Sequence, residues 1–137
     1  MTRTLGSLFA AAALAAIATR AVHAEGDAAA GKTLYAARCS ACHSVDFNSV
    51  GPTHKNLLGR HAGTAPGYAY SKALKESNVV WTQENLLRWL TDPELLIPGQ
   101  RMFVSVPDAR ERADIVAYLQ LVSGPQPTPS ATPGEAR

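Results

Sequence analysis

The segment from Ser44 to Tyr70 has no helix or strand pattern, yet it lies in the middle of a short chain. It is punctuated by turn-forming residues, namely Gly51-Pro52, Gly59, Gly63 and Pro66-Gly67. An irregular loop of about 25 residues is uncommon in a compact domain unless it wraps around something. We therefore expect the core of this chain to include a component that is not protein.

The first 24 residues have the pattern of a secretory signal peptide. Arg3 provides a positive start, residues 5–18 form a short apolar run, and Val22-His23-Ala24 offers a cleavage site after Ala24. An uncleaved membrane anchor is the alternative. The apolar run is shorter than the roughly 20 residues that span a bilayer, so the sequence favours export without stable membrane insertion.

Removal of the signal leaves 113 residues, enough for one small domain. It takes away two of the 13 basic residues and none of the 11 acidic ones, so the mature chain is formally neutral. Net charge thus gives no reason to expect nucleic acid as a partner. We expect the folded domain to span residues 25–123 and the proline-rich tail, residues 124–137, to be disordered.

Apolar periodicity and capping residues predict an all-α chain with about four helices. Asp27, Thr82 and an Asp108–Glu111 capping box mark three starts, and Pro93 is expected to stop the third helix. The predicted helices are residues 27–38, 71–76, 83–91 and 109–122.

Both cysteines of the chain lie in the sequence CSACH, residues 39–43. A redox C-x-x-C normally lies in a βαβ unit, which this sequence does not predict, and a plain disulfide would close only a tiny loop. Zinc is a further alternative, because His54 and His61 follow at nearly the spacing of a Cys₂His₂ site. That site would leave His43 without a role.

Haem attachment uses every position of the motif. In C-x-x-C-H both thiols form thioether bonds to a haem, and the adjacent histidine binds the iron. The carbonyl of Pro52, in a Gly-Pro turn, is available to support the second nitrogen of His43. Met102 is the only methionine left after removal of the signal and lies in a loop, so it is the candidate for the other axial position. The alternatives are a core-filling methionine, or His54 or His61 as ligand.

Five segments in order extend this pattern over residues 26–123, and together they resemble the class I cytochromes c. They are GDAAAGKTLYAARCSACH, GPTHKNLLGRHAGTAPGYAY, WTQENLLRWLTDP, IPGQRM and RADIVAYL. The resemblance implies a fold of helices and long loops around one covalently bound haem c, carried by Cys39 and Cys42 and ligated by His43 and Met102.

The resemblance also implies roles around the haem, and the chain departs from the family pattern at several positions. Arg60, Tyr70 and Trp81 match the residues that hydrogen-bond the haem propionates, and Gly31 of the first helix is expected to cross Tyr118 of the last. Gln100 replaces a threonine, Trp89 replaces a tyrosine near the methionine sulfur, and His54 occupies a usually apolar position. Leu74 replaces an asparagine, and the segment after Met102 is one residue shorter than in many members of the family.

Axial ligation by histidine and methionine leaves no open position on the iron, which suits electron transfer better than catalysis. We expect a periplasmic, non-enzymatic electron carrier that is a monomer or forms weak complexes. Its expected partners are redox proteins, with a dehydrogenase or quinol-oxidising complex as donor and a terminal oxidase as acceptor. A dedicated subunit of a periplasmic dehydrogenase is the first alternative, and a haem protein that binds ligands when Met102 dissociates is the second.

Overall fold

The structure, a computed structural model, describes residues 25–123. Over this range the chain forms five helices. They are α1 (Ala28–Arg38), α2 (Lys72–Glu76), α3 (Gln83–Thr91), α4 (Pro93–Leu96) and α5 (Ala109–Ser123). The only β pairing in the described part is an isolated bridge between His61 and Val80. The predicted signal peptide and tail lie outside the described residues.

The helix starts follow the capping residues in the sequence. The Asp27 carboxylate accepts hydrogen bonds from two N–H groups of the first turn of α1, and the Thr82 hydroxyl accepts one from Asn85. Asp108 accepts the N–H of Glu111, which confirms this part of the predicted capping box. Each cap satisfies donors that a helix start leaves without a partner.

Helix α4 is an addition to the four predicted helices. Pro93 does follow the end of α3, but it also occupies the first turn of a further short helix. Asp92 caps that helix by accepting the N–H groups of Glu94 and Leu95. A proline is well suited to a first helical turn because it has no N–H to leave unsatisfied there. The same residue therefore ends one helix and begins another.

Helices α1 and α5 cross at a glycine. A Cβ at Gly31 would overlap the backbone carbonyl of Asp114 and approach Cβ of Tyr118, so the crossing depends on the absence of a side chain. Tyr35, one turn later in α1, packs its ring 5.3 Å from that of Tyr118. The predicted approach of Gly31 and Tyr118 is thus confirmed.

The buried side chains come from helices and loops in similar measure. Leu86, Trp89 and Leu90 form the buried face of α3, as their spacing predicts, while α5 buries Ile115, Val116 and Leu119. Loop residues complete the cluster, among them Leu57, Ala62, Ile97 and Val106. None of the described helices is long and apolar enough to cross a membrane.

Candidate haem site

A cavity of about 410 Å³ lies between the helices and the long loop. The nine residues predicted to contact the haem all line it: Cys39, Cys42, His43, Pro52, Arg60, Tyr70, Trp81, Trp89 and Met102. Its remaining wall is largely apolar and includes Leu57, Leu74, Leu86, Leu90, Ile115 and Leu119. A cavity of this size and lining is typical of a site for an organic cofactor.

The cysteines and His43 lie where α1 ends. Cys39 is the C-terminal cap of α1, and its carbonyl accepts the N–H groups of Cys42 and His43 at 3.1 and 2.9 Å. This turn brings both thiols and the imidazole to the cavity wall. The helix end therefore positions the whole attachment motif.

The His43 ring is oriented by the loop that follows it. Its Nδ1 lies 2.8 Å from the carbonyl oxygen of Pro52, which can only accept, so Nδ1 carries a proton. Burial lowers the pKa of His43, which favours the neutral ring with no proton on Nε2. A Cβ at Gly51 would overlap the same imidazole. Gly51 was not singled out from the sequence beyond its place in a turn, yet its lack of a side chain makes room for the ring.

The thiols are poorly suited to the three alternatives, namely a redox pair, a disulfide and a zinc site. Burial raises the pKa of Cys39 to about 11, whereas redox-active cysteines have lowered pKa values. Cys39 and Cys42 are both free thiols. Within residues 25–123, no group of three or more His, Cys, Asp or Glu side chains could hold a metal ion, so a zinc site finds no support there.

Met102 is held by hydrogen bonds on both its backbone and its sulfur. The indole N–H of Trp89 donates to Sδ of Met102 at 3.1 Å. The side-chain oxygen of buried Gln100 accepts the Met102 N–H, and the amide nitrogen of Gln100 donates to Glu94 at 3.3 Å. Glu94 also accepts the Gly99 N–H at 2.8 Å. Glu94 and Gln100 therefore link α4 to the loop that carries Met102, and we call this pair of residues the clip.

Arg60 has a buried donor without a partner. Its two terminal nitrogens donate to the carbonyls of Lys55 and Thr53, at 2.6 and 2.9 Å, but its buried Nε has no hydrogen bond. Burial lowers the pKa of this guanidinium. A carboxylate at the cavity wall would give the buried Nε an acceptor and would compensate the half-buried charge. The site thus fits a group with acidic substituents, as a haem has.

Tyr70 and Trp81 line the cavity with Arg60. Tyr70 makes a hydrogen bond there, whereas Trp81 makes an aromatic contact. The Tyr70 hydroxyl accepts the Ala65 N–H at 3.3 Å, which leaves its own proton available to donate. Trp81 packs edge to face on Trp89, with ring centroids 5.2 Å apart. The structure therefore brings the three predicted propionate-side residues to one cavity.

His54 contacts His43 directly, and the unusual polar residue at position 54 was the only sign of this contact in the sequence. The two imidazoles stack with centroids 4.3 Å apart and planes 16° apart, and the Tyr35 hydroxyl lies 3.0 Å from Nδ1 of His54. Burial, with His43 and Arg60 nearby, lowers the pKa of His54 to about 3, so this ring is neutral. His61, the other histidine weighed as a ligand, is exposed and does not line the cavity.

The family model for cytochrome c matches residues 28–123. The chain belongs to the cytochrome c family. This membership, together with Cys39 and Cys42 at the attachment spacing, implies one covalently bound haem c. The all-α fold is that of a class I cytochrome c, as the sequence predicts.

Individual relatives agree with this assignment. Over 99 residues the cytochrome is 42% identical to "Cytochrome c type-1" of Ascaris suum, covering 70% of this chain and 88% of the relative. It is 41% identical over 98 residues to "Cytochrome c2" of Rhodopila globiformis, covering 69% and 92%. Cytochrome cH from Methylobacterium extorquens superposes with a TM-score of 0.67 at 47% identity, covering 70% of this chain and 99% of that one. The cytochrome is accordingly an electron carrier and not an enzyme.

Proposed function

We propose that this cytochrome carries single electrons through a haem iron ligated by Nε2 of His43 and Sδ of Met102. The observation that carries the proposal is that each candidate ligand lines the cavity and is already oriented by a neighbour. Pro52 holds the His43 proton on Nδ1, and Trp89 donates to the sulfur of Met102. Such supporting hydrogen bonds are typical of metal ligands and fix both orientation and basicity.

The protein around the haem has the properties that outer-sphere transfer needs. The bound haem supplies an iron that changes its oxidation state by one electron. The thioether of Met102 is soft and neutral, so it favours the reduced state relative to a second imidazole. Arg60 places a positive charge where the acidic substituents would lie, and the apolar wall excludes water. No position is left for a substrate to bind the iron.

Substitution of the methionine tests the ligation. We expect the oxidised wild-type protein to show the far-red absorption band of a methionine–iron bond, and the reduced protein not to bind CO at neutral pH. Met102→Leu, which keeps the volume and removes the sulfur, should lose the band and bind CO. His61→Leu, outside the cavity, is the matched control and should behave as wild type. CO binding by the wild-type protein would instead favour a ligand-binding haem protein.

We propose the periplasm as the site of action, with redox proteins as partners. Residues 1–24 carry the signal pattern, and the mature chain has 11 basic and 11 acidic residues, so electrostatic steering of partners should be weak. Amino-terminal sequencing of the exported protein should begin at Glu25. A protein retained in the membrane with an intact amino terminus would contradict cleavage.

A dehydrogenase subunit remains the second candidate for the same electron-transfer chemistry. The expected free carrier should elute from size exclusion of a native extract as a monomer. Stable co-elution with a catalytic subunit would favour the second candidate. The rate of reduction by a physiological donor should change little with salt, because the mature chain is formally neutral.

A further inference from the structure

The stacked contact between His54 and His43 has no part in the function proposed above. Two rings that lie 16° from parallel with centroids 4.3 Å apart restrict each other's rotation. Rotation of the His43 ring about its Cβ–Cγ bond would drive its edge into the neighbouring ring, and packed interiors resist such overlap. The orientation of the His43 plane thus depends on where His54 is held.

His54 is itself held by a residue at the crossing of α1 and α5. The Tyr35 hydroxyl meets Nδ1 of His54 at 3.0 Å, and the two rings pack edge to face with centroids 5.7 Å apart. Tyr35 is only 6% exposed and packs on Tyr118 of α5. The hydrogen bond therefore connects the His54 ring to one of the most tightly packed parts of the fold.

We propose that Tyr35 and His54 are positioning residues that fix the plane of the His43 imidazole. The inference rests on the proposed function, in which His43 holds the iron. The Pro52 carbonyl determines which nitrogen carries the proton, but one hydrogen bond still allows the ring to tilt about the Nδ1–oxygen direction. The stack removes that freedom. A leucine at position 54 would fill the space, but without a flat ring it could not hold the His43 imidazole in one orientation.

Spectroscopy of the oxidised holoprotein reports the orientation of an axial imidazole. The ligand plane splits the iron d orbitals, so it affects both the EPR g-values and the spread of the four haem-methyl proton shifts. We expect His54→Leu to change the g-values and the methyl spread, and His54→Phe, which keeps a flat ring, to restore most of both. His61→Leu is the matched histidine control and should leave the spectra unchanged.

A double-variant cycle tests whether Tyr35 acts through His54. Tyr35→Phe keeps the ring in the core and removes only the hydroxyl, so it also gives an answer if His54→Leu fails to fold. Alone, it should shift the methyl pattern in the same direction as His54→Leu. Combined with His54→Phe, which has no ring nitrogen to bond, it should add no further shift.

The outcomes distinguish a failure of the Tyr35–His54 proposal from a failure of the proposed ligation by His43 and Met102. In every variant we expect the far-red methionine band and a low-spin iron to persist. A His54→Leu spectrum equal to that of His61→Leu, or additive shifts in the Tyr35–His54 cycle, would overturn the pair and leave the ligation intact. A wild-type protein without the histidine–methionine signature would overturn the ligation and the pair together.

Discussion

The indole N–H of Trp89 donates a hydrogen bond to the sulfur of Met102, with 3.1 Å between nitrogen and Sδ. Trp89 is one of the positions where the sequence departs from the usual class I residue, and the structure shows that its indole reaches the sulfur. Trp89 is held for this contact by the buried face of α3 and by the ring of Trp81. We expect this hydrogen bond to raise the redox potential of the haem iron.

We expect Trp89→Phe to lower the midpoint potential. A hydrogen bond withdraws electron density from the sulfur and weakens its donation to Fe(III) more than to Fe(II), so the bond favours the reduced state. A differential of about 0.5–1 kcal/mol corresponds to about 20–40 mV for one electron. Redox titration measures the change, and Trp89→Tyr, which retains a donor, should recover part of it. An unchanged or raised potential in Trp89→Phe would contradict this role.

Gly51 gives a second prediction, because a Cβ there would overlap the His43 imidazole. Gly51→Ala should displace the ring or the Pro52 carbonyl, reduce the yield of haem-loaded protein, and destabilise it by about 1–3 kcal/mol, the usual cost of overpacking. The comparison variant is Gly59→Ala, where a Cβ meets no atom within 4 Å and only the positive φ of 81° opposes the change. Both are measured by haem content and denaturant unfolding. Equal losses in the two variants would reject steric exclusion at Gly51.

The clip formed by Glu94 and Gln100 gives a third prediction. Gln100→Leu leaves the Met102 N–H without its acceptor and removes the link to Glu94. Loss of a buried partner costs about 1–3 kcal/mol, so the far-red band should disappear at lower urea concentration than in the wild-type protein. Glu94→Gln keeps an acceptor for the Gly99 N–H and should have a smaller effect. The idea fails if the band of Gln100→Leu is as resistant to urea as that of the wild type.

Capping residues and apolar spacing predicted the helix starts and the buried helix face, because both depend only on residues close in sequence. Asp27 and Thr82 cap their helices as expected, and the spacing of Leu86, Trp89 and Leu90 identifies a buried face. The role of Pro93 was only half predicted, because a proline that ends one helix is equally suited to the first turn of the next. The second role has a local signal as well, because Asp92 is a preferred N-cap residue and stands directly before Pro93.

The residues of the short cysteine–histidine motif could be predicted from the sequence. The contacts between residues distant in sequence could not. The spacing of Cys39, Cys42 and His43 is local, and all three line the cavity. The stack of His54 on His43 depends on the path of the loop between them and on Tyr35, 19 residues away. Periodicity holds no information on such a contact. Only the unusual polar residue at position 54 marked the place.

The crossing of α1 and α5 gives a prediction in which two effects have opposite signs. In an isolated helix, alanine in place of glycine is stabilising by about 1 kcal/mol. At Gly31, however, the new Cβ would overlap the Asp114 carbonyl, and a backbone atom inside a helix cannot move aside without disturbing α5. We expect Gly31→Ala to destabilise the holoprotein by about 1–3 kcal/mol in urea unfolding. Thr33→Ala, at an exposed position of the same helix, has no such overlap and should be slightly stabilising. A gain in stability for both variants would show that the helices can separate at no cost, and the close approach at Gly31 would then not be a determinant of the fold.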